Sequence, residues 1–212
     1  MNTGAAPASG GVEAARTLPE GARRSHALEH LTGILTRSAP LQVIDLGGIS
    51  QPTLEFVTSQ GHRLYAENLI RAAEAVWPAA SWFDQPLDER PLEEFLSQAI
   101  PFPEASVGAA LLWDQFHFLP PALAQAVAAR LRRVLKPDAP LLSFFYPESA
   151  RTQAPVQACR ILDERHLQLI PRGAPRRLQT FTPRTIERFF HEFHSVKFFM
   201  TRESTQEVVV RR

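Results

Sequence analysis

The chain has 212 residues, of which 44% are hydrophobic and 21% are charged, and its formal net charge is +1. This length and apolar content predict a single globular domain with a sizeable core and exclude a disordered chain. No stretch reaches the ~18 consecutive apolar residues that a membrane span requires, so a membrane protein is not expected. The near-zero net charge gives no strong nucleic-acid signal.

The charges are unevenly distributed along the chain. Residues 1–150 carry 11 basic and 16 acidic side chains, whereas residues 151–212 carry 12 basic and 6 acidic ones. An anionic ligand or partner would therefore be expected to dock on the C-terminal part. The single cysteine, Cys159, excludes an intrachain disulfide and a cysteine-based zinc site. Together with the absence of a signal-peptide pattern, it predicts a reducing, cytoplasmic setting.

The first half of the chain predicts a strand–helix–strand unit after a flexible tail over residues 1–22. Apolar residues at helical spacing predict a helix over 23–37. A β-branched run over 41–46 is followed directly by Gly47 and Gly48, which is typical of a buried strand ending in a tight turn. Ser50 then offers an N-cap for a helix that ends near Gly61, and residues 63–66 predict the next strand.

The alternation of helices and strands continues through the rest of the chain, so residues 23–212 are predicted to form one α/β domain. Prolines and an excess of arginine over 147–180 suggest an insertion or lid. The fold class is a Rossmann-like, doubly wound, mostly parallel sheet that ends in an antiparallel hairpin. The remaining elements are helices over 68–76, 92–100, 120–135 and 182–190, and strands over 81–83, 107–113, 140–145, 194–200 and 206–211.

The turn over 45–50 is the sharpest candidate site, because an open α/β sheet binds ligands beyond the carboxyl ends of its strands. Glycines in such a turn allow a ligand to approach the backbone, and the following helix N-terminus presents free N–H groups. Glu67, about twenty residues further on, ends the next strand, where an acid can accept hydrogen bonds from a ribose diol.

The order of these segments resembles a class I S-adenosylmethionine-dependent methyltransferase over roughly residues 41–146 and 181–211. The segments that carry the resemblance are Val43–Gly48, Glu67, Val107–Asp114, Leu131–Pro137 and the closing hairpin over 194–211. The resemblance implies S-adenosylmethionine as cofactor and methyl transfer to an unidentified acceptor. It also implies that Asp45, Gly47 and Gly48 hold the amino-acid end of the cofactor and that Glu67 holds its ribose.

By the same resemblance, Trp113 and Asp114 would face the methyl donor and the acceptor just beyond the fourth strand. An aromatic ring or a carboxylate beside the sulfonium cation of the donor is favourable by ~0.5–2 kcal/mol. Where the acceptor is a weak nucleophile a general base is needed, and His117 is a candidate for that role beside Asp114. A helix-start or packing role is an equally good interpretation of His117.

Three departures from the family pattern leave other functions open. The last glycine of the family's first motif is missing after Gly48, the acid that often precedes the fourth strand is replaced by Val107 and Gly108, and Asp84 is only a candidate for the adenine amino group. The alternative is a non-catalytic, methyltransferase-like binding or regulatory domain. A nicotinamide-dependent oxidoreductase is disfavoured by the terminal hairpin. His191 and His194 are interpreted as solvated surface, so no metal site is predicted.

Overall fold

The computed structural model describes residues 18–77, 83, 87–147, 152–201 and 205–212. A six-stranded sheet forms the centre of the protein, with the strand order β3–β2–β4–β5–β9–β8. The first four strands of this order are parallel, and β9 runs antiparallel to both of its neighbours. The predicted fold class is therefore confirmed. These strands are β2 (Gln42–Asp45), β3 (Arg63–Ala66), β4 (Ala109–Trp113), β5 (Pro140–Phe145), β8 (Ser195–Met200) and β9 (Gln206–Arg211).

Helices cover both faces of this sheet, as the doubly wound arrangement requires. One face packs on α1 and α2, and the other packs on α3 to α6. None of the helices in the described parts of the chain is long and apolar enough to cross a membrane. The helices are α1 (His26–Leu35), α2 (Gln51–Ser59), α3 (Leu69–Val76), α4 (Glu89–Ala99), α5 (Pro121–Val134) and α6 (Pro183–Phe189).

A second sheet of three strands lies against the α1–α2 side of the core. It consists of β1 (Ala22–Arg24), β7 (His166–Arg177) and β6 (Gln153–Ile161), in that order and antiparallel throughout. Cys159, Ile161 and Leu167 from this sheet are buried in the same apolar cluster as α1, α2 and Trp113. The sequence predicted no strands over 147–180, whereas β6 and β7 fall within this range, and β6 bonds to Asp114 and Thr53 at the carboxyl end of the central sheet.

Two further differences from the sequence prediction concern element boundaries. The helix predicted from residue 23 begins at His26, because Ser25 has extended backbone and its side chain accepts a hydrogen bond from the N–H of Leu28. Residues 22–24 pair with β7 instead. The strand predicted over 81–83 falls on residues of which only Phe83 is described, as part of a turn, and Asp84 also lies outside the described residues.

A buried carboxylate joins the start of α1 to the central sheet. Glu207 on β9 is fully buried, and its Oε2 accepts hydrogen bonds from Ser25 Oγ at 2.7 Å and from the N–H of Ala27 at 3.2 Å. Its Oε1 lies 2.9 Å from Nη1 of Arg23 on β1. Because a buried charge is costly unless it is paired, these contacts fix β1, α1 and β9 relative to one another.

We expect Ser25→Ala to lower the free energy of unfolding by about 1–3 kcal/mol, since it removes both the N-cap of α1 and a hydrogen bond to a buried carboxylate. Ser97→Ala is the matched control, because Ser97 is an exposed helical serine whose hydroxyl donates to the carbonyl of Glu94. Urea denaturation of both variants measures the difference. Equal stabilities would contradict the proposed importance of the Glu207 contacts.

Candidate functional site

Asp45 occupies the centre of the predicted turn, at the carboxyl end of β2. Its Oδ1 accepts hydrogen bonds from the N–H of Gly47 at 2.9 Å and from Nε1–H of Trp113 at 2.8 Å. Its Oδ2 is buried and has no hydrogen-bond partner among the residues that the structure describes. Burial raises the pKa of Asp45 to about 7, against the opposing effect of these two hydrogen bonds. An unpaired, buried carboxylate oxygen in a turn is the feature expected of a ligand site.

Trp113 closes the space beside this turn. Its side chain is fully buried, and a Cβ added to Gly47 would lie only 2.4 Å from Cδ1 of the indole, so only glycine permits this contact. The backbone of Trp113 has φ = 54°, which is a strained conformation for a bulky residue. The indole also meets the ring of Phe144 edge-on, with 5.6 Å between centroids. Trp113 therefore lies between the glycine turn and the end of β5.

Glu67 lies beside the turn, as the βαβ unit predicts. Gly48 adopts φ = 94°, and its N–H donates to the carbonyl of Glu67 at 3.0 Å. The half-buried side chain of Glu67 accepts the N–H of Asn68 through Oε1 at 2.7 Å. The structure thus brings together Asp45, Gly47, Gly48, Glu67 and Trp113, all of which the sequence assigned to cofactor binding.

Asp114 lies on the other side of Trp113, at the wall of a cavity of about 230 Å³ between the two sheets. Its Oδ2 accepts a hydrogen bond from the hydroxyl of Tyr146 at 2.6 Å. Burial raises the pKa of Asp114 to about 6, and the bond from Tyr146 opposes this shift. The carboxyl group therefore titrates close to neutrality. The residues that line the cavity are Arg23, Asp114, Phe144, Tyr146, Gln157, Cys159, Leu169 and Thr205.

His117 is placed differently from Asp114. It is buried in the short 3₁₀ helix Gln115–Phe118, and it does not line the cavity. Its Nδ1 lies 2.8 Å from the carbonyl of Gln179, and its Nε2 accepts the N–H of Tyr146 at 3.0 Å. This pairing defines a neutral ring with the proton on Nδ1. Burial lowers its pKa to about 4. In this arrangement the ring positions Tyr146.

The cavity residues on the second sheet and directly after β5 were not predicted from the sequence. Arg23 was assigned to a helix, and Tyr146, Gln157 and Cys159 were given no role. A signal for β7 does exist in the alternation of polar and apolar residues over 166–169, whereas the adjacent apolar residues Ala158 and Cys159 interrupt the alternation in β6. Pro155 and Pro171 obscured this signal. Pro155 sits at a register shift between Ala154 and Val156, where the sheet tolerates a missing N–H donor.

No family model matches this chain, and no curated protein matches it in sequence. Solved structures that are similar include 1,6-didemethyltoxoflavin-N1-methyltransferase from Burkholderia thailandensis, crystallised with 1,6-didemethyltoxoflavin and S-adenosylhomocysteine (16% identity, 88% of this chain and 78% of that chain, TM-score 0.45).

Two further similar structures come from other organisms. One is a SAM-dependent methyltransferase from Methanosarcina mazei (14% identity, 82% of this chain and 93% of that chain, TM-score 0.47). The other is magnesium protoporphyrin IX methyltransferase from Synechocystis PCC 6803 with bound SAM (12% identity, 87% of this chain and 77% of that chain, TM-score 0.45). All three of these proteins are methyltransferases.

We expect the stability that His117 contributes to be lost as the pH falls from 6.5, its usual pKa, toward about 4, its pKa in the folded state. Over this range the unfolded chain takes up a proton that the folded chain does not bind. The difference in unfolding free energy between the wild type and His117→Gln should therefore shrink by up to about 3 kcal/mol. Asp45 and Asp114 titrate in both proteins and cancel in the comparison. A difference that is constant with pH would contradict this assignment.

We expect Gly47→Ala to displace the indole of Trp113, because the new methyl group would lie within 2.4 Å of Cδ1. The variant should lose about 1–3 kcal/mol of stability and change its tryptophan fluorescence. Gly33→Ala in α1 is the control, since its added methyl would meet only the flexible end of Arg37, at 3.6 Å. Fluorescence and urea denaturation are the measurements, and unchanged values for Gly47→Ala would show that the indole does not pack on the turn.

Proposed function

We propose that this protein is an S-adenosylmethionine-dependent methyltransferase. The observation that carries the proposal is the buried Oδ2 of Asp45, which has no partner among the described residues and lies at the glycine turn after β2. An unpaired carboxylate oxygen suits the ammonium group of the cofactor's amino-acid end. The arrangement of parallel strands followed by an antiparallel hairpin supports the same class.

The neighbouring residues suit the remaining groups of the cofactor. Glu67, half-buried beside the turn, is proposed to accept hydrogen bonds from the ribose hydroxyls. The bound cofactor supplies an electrophilic methyl group on a sulfonium sulfur.

Asp114 is the residue that we propose takes the proton from the acceptor. It lines the cavity, it is buried, and its pKa of about 6 lets it be ionised at neutral pH while it remains basic enough to accept a proton. The hydroxyl of Tyr146 orients the carboxylate, and His117 holds the backbone of Tyr146. The role of His117 as a base, suggested by its sequence position, is less well supported, because both ring nitrogens have partners within the chain.

Trp113 must turn away from Gly47 for the amino-acid end of the cofactor to reach Asp45, since the indole fills that space and donates to Asp45 Oδ1. This closed arrangement favours a second candidate function. In that alternative the chain is a methyltransferase-like binding or regulatory domain in which Trp113 replaces the cofactor permanently. The hydrogen bond from Ile161 to Thr53, which holds β6 over the first turn of α2, agrees with it.

Isothermal titration with S-adenosylmethionine and S-adenosylhomocysteine tests the proposal. We expect binding by the wild type and at least tenfold weaker binding by Asp45→Asn, because the ammonium would lose a charge-assisted hydrogen bond. Glu67→Gln should also weaken binding. Glu55→Gln is the matched control, since Glu55 is an exposed acid on α2 that pairs with Gln51.

Trp113→Phe and Trp113→Ala separate the two candidate functions. A protein whose binding-competent state is only partly populated binds more weakly by that fraction, so removing the closing indole should raise the affinity for S-adenosylmethionine. Circular dichroism verifies that each variant is folded. If neither the wild type nor any folded Trp113 variant binds the cofactor at millimolar concentration, the methyltransferase proposal is wrong and the binding-domain alternative is favoured.

A further inference from the structure

We infer that the cavity between the two sheets binds a small planar carboxylate that carries a hydroxyl or amino group, and that this molecule is the methyl acceptor. The role of this molecule as methyl acceptor rests on the proposed function, whereas its binding in the cavity is independent of that function. The cavity volume of about 230 Å³ equals about eight water molecules at their share of liquid volume. It is smaller than the ~300–1,000 Å³ typical of sites for drug-sized ligands. The ligand is therefore limited to on the order of ten non-hydrogen atoms.

Arg23 gives this cavity a site for a carboxylate. Nη1 of Arg23 lies 2.9 Å from Glu207, whereas Nε and Nη2 are buried and have no hydrogen-bond partner within the described parts of the chain. Nε–H and one N–H of Nη2 lie along the same edge of the planar guanidinium, which is the edge that can donate to both oxygens of a carboxylate. Since a buried donor without a partner is costly, a ligand that supplies both acceptors is favoured.

The position of Arg23 is fixed before any ligand arrives. Its guanidinium lies over the ring of Phe144, 5.4 Å from the centroid, and Glu207 holds Nη1. The neighbouring Arg24 differs in each respect, because its side chain is half exposed and forms a surface ion pair with Glu29. A prepositioned guanidinium loses little entropy on binding, so it favours affinity and specificity over general attraction of anions.

The second polar feature of the cavity is the pair formed by Asp114 and Tyr146. The hydroxyl of Tyr146 donates to Asp114 Oδ2, and Asp114 Oδ1 has a long contact of 3.3 Å with Nε2 of Gln115. The carboxylate can therefore accept a further hydrogen bond from an O–H or N–H group of a ligand. That group is the atom to be methylated if Asp114 is the base.

The other walls of the cavity are apolar and include an aromatic ring. Phe144, Leu169 and the thiol of Cys159 line it, and burial raises the pKa of Cys159 well above its usual value, so the thiol is neutral. A ligand with a flat unsaturated body fits a cavity whose wall is the ring of Phe144. The three features together, a fixed guanidinium, an accepting carboxylate and an aromatic wall, define a small hydroxylated or aminated aromatic acid.

The probe for this site is para-hydroxybenzoate, titrated calorimetrically into the full chain without cofactor. We expect it to bind and para-hydroxybenzamide, its uncharged counterpart, to bind at least tenfold more weakly. Arg23→Lys should weaken binding of para-hydroxybenzoate at least tenfold, since lysine keeps the charge beside Glu207 but lacks the two parallel donors. Arg24→Lys should bind like the wild type. Asp114→Asn should reduce the preference for para-hydroxybenzoate over benzoate.

Three results would overturn the inference: no binding of para-hydroxybenzoate at millimolar concentration, equal affinity for the amide, or equal losses in the Arg23→Lys and Arg24→Lys proteins. Urea denaturation establishes that Arg23→Lys is folded, and Arg23→Gln provides a second variant. Titration of the same proteins with S-adenosylmethionine separates this inference from the proposed function. Binding of para-hydroxybenzoate without binding of S-adenosylmethionine would leave the cavity as the ligand site of a non-catalytic domain. Binding of S-adenosylmethionine without binding of para-hydroxybenzoate would overturn the inference about the cavity and leave the proposed function intact.

Discussion

The contact between Trp113 and the glycine turn is the constraint on which the rest of the site depends. Asp45 is buried, and the free-energy cost of removing its carboxylate from water is offset only in part by two donors to one oxygen. The indole supplies one of these donors and can do so only because position 47 lacks a side chain. The end of β4 is thereby tied to the end of β2. Asp114 follows Trp113 directly, so its position is set by the same contact.

A connected set of polar groups extends from this point to the C-terminal half of the chain. Asp114 accepts a hydrogen bond from the hydroxyl of Tyr146, and Nε2 of His117 accepts one from the backbone N–H of Tyr146. Nδ1–H of His117 donates to the carbonyl of Gln179. Asp114 and His117 are buried, and Tyr146 and Gln179 are partly buried, so an unsatisfied donor or acceptor among them would be costly. Burial raises the pKa of Asp114 to about 6, and buried ionisable groups with shifted pKa values are concentrated at functional sites.

The central sheet was predictable from the sequence, whereas the cavity beside it was not. Apolar runs such as that before Gly47 mark buried parallel strands, and the glycine turn and Glu67 follow from local spacing. Arg23, however, faces the cavity only because Glu207, far along the chain, holds one of its nitrogens. Pairing of residues 22–24 with β7 is equally non-local. These contacts join residues far apart in the sequence, so the spacing of apolar residues within a short stretch does not reveal them. Residues 23–25 were therefore predicted to be the start of a helix.

The position of Trp113 has a consequence for how two ligands would interact. Its indole contacts both Gly47 and Phe144, and Phe144 also lines the cavity. A φ of 54° at a bulky residue stores about 1–3 kcal/mol, so the closed conformation is less favourable than its hydrogen bond alone implies. Any ligand that displaces the ring from Gly47 must also move it relative to Phe144. If a ligand at the glycine turn changes the affinity of the cavity for its occupant by some factor, linkage requires that the occupant of the cavity changes the affinity of the turn for that ligand by the same factor. A single strained residue that contacts both sites is sufficient to couple the two affinities.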